Sequence, residues 1–178
     1  MANTYSLIEA QTLGSNQASV TLGAGGTIPQ TYTDLQVLYS TKHTSTAAGG
    51  YSYNLYLTFN GATSRYYELL LYNNSGSLGS TSKSNVDPYF NWSVLAQGAG
   101  GSNTFSTGQF YITNYTSSNP KSISSEFVSE DNGTAAPWSI MNAGLWDPSS
   151  NAPITSMTIS ASSIMAGSTF YLYGIKNS

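Results

Sequence analysis

The sequence predicts an all-β chain, an antiparallel β-sandwich of jelly-roll type with about ten strands. Three observations carry this. Apolar residues recur at every second position through most of the chain, helix candidates are nearly absent, and Gly, Asn, Ser and Pro clusters interrupt the alternation at short intervals. Strand-length alternation opens at 4–9 and 18–22 and returns at 35–41. The clearest run is 51–59, which places Tyr51, Tyr53, Leu55, Leu57 and Phe59 on one face. Asn60-Gly61 follows as a tight-turn signal, and 65–72 then reads as the return strand of a hairpin. Further strands are expected at 89–95, 109–115, 122–129, 138–145, 154–160 and 169–175. Between them lie breaker clusters at 23–26, 47–50, 73–84, 98–103, 117–120, 132–137 and 147–153. The Ser/Gly/Asn stretch at 73–84 is the most linker-like and reads as a long sandwich loop. The best helix candidate, 135–145, is interrupted by Pro137 and Gly144. No repeat of fixed period and no shift in composition divides the chain, so residues 1–178 are expected to form a single domain.

Charge is scarce. Only 7% of the 178 residues are charged, against roughly 25% in an ordinary soluble domain, and Ser, Thr and Asn make up more than a third of the chain. With a net charge of −3 and no cluster of Lys or Arg, nothing supplies the phosphate neutralisation that nucleic-acid binding needs. The 13% aromatic content argues against disorder. No apolar run reaches the ~18 residues of a membrane span, and residues 1–5 carry no signal-peptide pattern. With no cysteine, disulfides and thiolate chemistry are excluded.

Catalytic signatures are weak, and the chain is not expected to be an enzyme. His43 is the only histidine and reads as a solvated loop residue; no G-x-S-x-G motif accompanies it. One histidine and no cysteine leave few zinc arrangements, so no metal or other cofactor is expected. Glu130-Asp131-Asn132-Gly133 and Trp146-Asp147-Pro148 read as turns; the former also offers clustered oxygens but lacks the acidic positions of a calcium loop. Glu9, Glu68 and Glu126 lie in strand-like runs, where pairing or outward exposure is expected. Gly23–Gly26 and Gly98–Gly101 lack the Gly-Lys-Ser/Thr of a phosphate loop, and the S-x-x-K matches at Ser80–Lys83 and Ser118–Lys121 are products of a serine-rich chain. The aromatics offer another possibility. Trp92, Trp138 and Trp146, with Tyr66, Tyr67, Tyr111 and Tyr115, are candidates for a sugar-stacking or partner-contact platform. The competing reading places Trp138 and Trp146 in the core or a subunit interface, beside Ile140, Met141 and Leu145.

Several stretches occur in a recognisable order: Tyr5-Ser6-Leu7-Ile8-Glu9, then Ile28-Pro29-Gln30-Thr31-Tyr32-Thr33-Asp34-Leu35, then Phe59-Asn60-Gly61. Tyr111-Ile112-Thr113-Asn114-Tyr115-Thr116, Lys121-Ser122, Ile154-Thr155-Ser156 and the closing Phe170-Tyr171-Leu172-Tyr173-Gly174-Ile175-Lys176 complete the set. Together they resemble a family of small virion structural proteins of marine bacteriophages, including those of cyanobacteria. The resemblance implies a particle-surface protein without catalytic residues, assembled in the host cytoplasm. Its implied role is capsid decoration by subunit adhesion, with a tail-fibre or tail-tip receptor-binding or carbohydrate-binding module as the alternative. Implied partners are further copies of itself, a trimer by analogy, other capsid or tail proteins, and host surface glycan. Because the first strand begins by residue 4, an N-terminal coiled coil or adaptor is not expected, which favours head over tail. Pro29 is expected to end an extended segment, and Gly174 to admit a neighbouring backbone.

Overall fold

The computed structural model describes residues 4–44, 53–74, 76–87, 90–95, 104–129, 138–148 and 152–176. Among these are twelve strands and no helix. They are β1 (Tyr5–Thr12), β2 (Gln17–Leu22), β3 (Asp34–Thr41), β4 (Tyr53–Phe59), β5 (Tyr66–Asn74) and β6 (Ser77–Asp87). The chain continues through β7 (Phe90–Leu95), β8 (Ser106–Ile112), β9 (Lys121–Ser129), β10 (Trp138–Trp146), β11 (Met157–Ile164) and β12 (Thr169–Ile175).

Two antiparallel sheets result, an eight-stranded one in the order β1-β12-β3-β8-β9-β10-β5-β6 and a four-stranded one in the order β2-β11-β4-β7. The pairings β1–β12, β2–β11, β3–β8 and β4–β7 are nested, as if one long ribbon had been folded over itself. That wrapping is a jelly roll. The strands β5–β6 and β9–β10 are insertions into it, and all four add to the β8 edge of the large sheet. The sandwich predicted from alternation is therefore the one observed, with a lopsided extension.

Alternation explains the core. On β3 the buried set is Leu35, Val37 and Tyr39, and on β12 it is Phe170 and Leu172. These meet Leu22, Leu55, Leu57, Phe59, Met157 and Ile159 from the small sheet in one apolar cluster. Phe59, Tyr66 and Trp146 close its far end, with Phe59–Trp146 ring centroids 5.3 Å apart and Tyr66–Trp146 centroids 6.3 Å apart. The Tyr66 hydroxyl accepts from the Phe59 backbone N–H at 2.9 Å, so its polar end is satisfied inside.

Three expectations need correction. The hairpin expected from 51–59 and 65–72 does not form over the described residues: β4 pairs with β11 and β7, whereas β5 pairs with β10 and β6. The Asn60-Gly61 turn does form, with φ of 52° and 70°, but it turns the chain from one sheet to the other. Asn60 fixes that corner: its Oδ1 accepts from the Thr155 N–H at 2.9 Å and the Ser156 N–H at 3.1 Å, while its Nδ2 donates to the Pro153 carbonyl at 2.7 Å. The loop expected at 73–84 is mostly strand. Asn74 faces Ser77, Gly76 adopts φ 87°, and β6 then runs along β5. Last, Gly174 admits a side chain, not a backbone; a Cβ there would stand 2.4 Å from the Tyr32 ring.

Candidate functional site

The extension widens the outer face of the eight-stranded sheet, and pairing register arranges its side chains in rows. One row crosses seven strands as Tyr171, Leu38, Gln109, Glu126, Met141, Leu71 and Ser80. The adjoining row includes Thr107, Val128, Ser139, Asn73 and Leu78, and on the other side lie Gln36, Tyr111, Ser124, Ala143, Leu69 and Ser82. These positions alternate with the core residues, so all face away from the small sheet.

Large apolar side chains stand exposed here. Leu78 is 85% exposed, Met141 65%, Val128 and Leu71 52%, and Leu69 51%. Leu38, Val128, Met141, Leu71 and Leu78 line a shallow trough of about 620 Å³. A second hollow of about 510 Å³ shares Leu71, Gln109, Glu126 and Met141 with it, which makes one continuous depression. Among the described residues lining it, Glu126 is the one charged side chain. Its carboxylate accepts from Gln109 Nε2, and Gln109 Oε1 accepts from Gln36 Nε2, a polar ladder laid through an apolar field.

The residues singled out from the sequence mostly lie elsewhere. Tyr66, Tyr115 and Trp146 are buried to within 2% exposure, so none of these rings offers a face to a sugar or partner. Tyr66 and Trp146 close the core, as the competing reading had it for Trp146, and Tyr115 donates its hydroxyl proton to the Pro29 carbonyl. Trp138 is half-buried on the inner side of β10, its ring centroid 5.4 Å from that of Tyr72. Trp92 belongs to β7, and its side chain lies outside the described set. Tyr111 is the one candidate that lines the trough. Its hydroxyl donates to Asp34 Oδ2 at 2.6 Å, and burial, reinforced by that carboxylate, pushes its pKa up to about 12.

The chemistry-bearing groups are held structurally. Glu9 accepts from Gln11 and from the Gly23 N–H; Asp34 accepts from Tyr111 and the Asn114 N–H; Asp147 pairs with Arg65. Glu68 points inward between Lys83, 3.9 Å away, and Asn142. Lys121 is buried, its ammonium donating to the Ser117 and Asn119 carbonyls, and burial lowers its pKa. His43 is not a solvated loop residue: it bridges to Ile164, is 5% exposed, and its Nε2 lies 2.7 Å from Ser162 Oγ. Extension of β3 past Thr41 draws it under the β11 end, and burial lowers its pKa. The described residues contain no group of three or more His, Asp or Glu arranged for a metal. The Glu130–Gly133 segment and the 98–103 loop lie outside the described residues.

Compared with known protein families, with curated proteins and with solved structures, the chain has no match. The outer apolar face is therefore argued from its own chemistry. Sequence reasoning missed it because its exposed aliphatic residues come from five different strands. One local signal existed: Leu69-Leu70-Leu71 is apolar on both strand faces, which in an antiparallel sheet points to a covered outer side.

Proposed function

We propose that this chain is a bacteriophage virion structural protein, a capsid decoration protein that works by adhesion. The outer face of its eight-stranded sheet is the surface that docks on the particle. One observation supports the adhesive mode above others: a trough bearing five exposed aliphatic side chains and a single carboxylate, on the face turned away from the core. Contiguous apolar surface of this kind marks protein contact sites. The particle as the setting rests on the sequence resemblance.

A carbohydrate-binding module has less support, since Tyr66, Tyr115 and Trp146 are buried and the exposed large apolar side chains lining the trough are Leu, Val and Met, where stacking on sugars wants aromatic faces. The test is localisation of the chain by cryo-microscopy of purified particles, together with a Leu71→Asp/Met141→Asp double variant. Both substituted side chains are already at the surface, so folding should survive. Attachment should fall by about 2–4 kcal/mol, as for loss of central contacts at an interface. Particles that lack the chain, or that hold the double variant as well as the parent, would overturn the proposal.

A further inference from the structure

We infer that the edge of β6, unpaired among the described residues, is a self-association site, through which two copies of this chain pair β6 to β6 antiparallel and join their large sheets. This rests on the adhesion reading for its purpose, while its evidence is the backbone edge of β6 and shares only Leu78 and Gly79 with the trough.

The four sheet edges are β1, β6, β2 and β7. Sheet edges present unpaired backbone donors and acceptors, and proteins that stay monomeric blunt them with bulges, charge or shortness. At the first edge, β1 carries a bulge between Leu7 and Glu9, and the Glu9 carboxylate folds over to the Gly23 N–H at 2.7 Å. The edge strand β2 is only six residues long. On β6 the register breaks between Lys83 and Asp87, but the seven residues Ser77–Lys83 pair with β5 without interruption and leave a regular edge. Its outward side chains over that stretch are Leu78, Ser80 and Ser82, none charged.

The one charge in Ser77–Lys83 is disarmed. Lys83 would ordinarily act as an edge guard, but its ammonium turns to the inner side toward Glu68, 3.9 Å away, and its side chain is only 28% exposed. At the other end of the stretch, on the outer face, stands Leu78, the most exposed large apolar residue described. A protein that meant to keep this edge free would not place its barest leucine there.

Ser80 is the midpoint of the regular stretch. A two-fold through Ser80 sets Leu78 against Ser82, Gly79 against Thr81 and Ser77 against Lys83 of the second copy. No like charges meet, and the row ending in Leu71 and Ser80 runs on into its counterpart. The interface is isologous, a two-fold dimer, in contrast to the trimer that analogy implied.

Because the chain has no cysteine, a Ser80→Cys variant can cross-link only to its own counterpart. Directly opposed strand positions have Cβ atoms about 4.5–5.5 Å apart, close to disulfide reach. Under mild oxidation Ser80→Cys should form a covalent dimer much faster than Ser124→Cys, which sits mid-sheet on the same face. Sedimentation of the parent chain should show a monomer–dimer equilibrium, and Ser80→Lys, which opposes two ammonium groups, should weaken it by at least about tenfold. The thermal midpoint of the Ser80→Lys monomer should match that of the parent. A parent chain that remains monomeric at all concentrations, or equal cross-linking at Ser124 and Ser80, would overturn the β6 pairing. If the monomeric chain still attached to particles through Leu71 and Met141, the adhesion reading would stand while this one fell.

Discussion

Asn60 and His43 illustrate how single side chains hold this fold. Asn60 adopts φ 52°, a region that strains most L-residues, and its amide ties β4 to the segment before β11 through backbone groups of Pro153, Thr155 and Ser156. Each such bond contributes about 1 kcal/mol net. Asn60→Ala should lose them and add backbone strain, lowering the unfolding free energy by about 2–4 kcal/mol in urea titrations. Asn60→Gly relieves the strain alone and should lose about 1 kcal/mol less. His43 makes a pH prediction. Burial lowers its pKa, so between the lowered value and the unfolded value of about 6.5 the unfolded chain binds the extra proton. Its contribution to stability is thus fully present above pH 6.5 and lost as pH falls below it. The urea midpoint should drop between pH 7.5 and 5, and His43→Gln should flatten that slope. A slope unchanged in the variant would assign the effect to other groups.

At the scale of elements, packing decides what alternation leaves open. Gly174 lies against the Tyr32 ring, and a Cβ would come within 2.4 Å of its Cγ, the rigid root of that ring. Gly174→Ala should therefore destabilise by about 1–3 kcal/mol, as overpacking does, and Tyr32→Ala in the same chain should recover part of the loss. Trp146→Ala would empty the space between Phe59 and Tyr66 and should cost about 3–5 kcal/mol. Which elements could be read in advance follows from the same physics. Strands such as β3 and β12 bury one face, and their period of two is written in the residues. The first seven residues of β6, Ser-Leu-Gly-Ser-Thr-Ser-Lys, have little strand preference, and pairing with β5 makes them a strand. Asn60-Gly61 announced a reversal, but turn chemistry is local; whether the next strand returns beside β4 or crosses to the other sheet depends on where Phe59, Tyr66 and Trp146 meet. The outer face was hidden for a related reason. Leu38, Leu71, Val128 and Met141 are far apart in the chain and become neighbours only through register.

At the scale of the whole molecule, the adhesion proposed above joins the shortage of charge and the apolar outer face in one mode of action. A surface of Ser, Thr, Asn and aliphatic side chains makes contacts that salt scarcely screens, whereas ion pairs weaken as the Debye length shrinks to about 3 Å at molar salt. Glu126 is the single described charge in the trough, so at most one ion pair per docking site would be exposed to that screening. On the proposed adhesion, attachment to a particle should survive about 1 M sodium chloride with a change of less than about threefold in dissociation constant. Apolar burial also predicts the temperature response. It weakens on cooling and carries a negative heat-capacity change, so binding should be tighter at 25 °C than near 4 °C. Calorimetry of the isolated chain with emptied particles reads both quantities at once. Release on raising salt, with little heat-capacity change, would mean that charged groups hold the protein in place and that the aliphatic trough is not the contact. Retention in molar salt by the parent chain and release of the Leu71→Asp/Met141→Asp variant under the same conditions would assign the adhesion to the trough itself, because salt has then removed the electrostatic contribution from both.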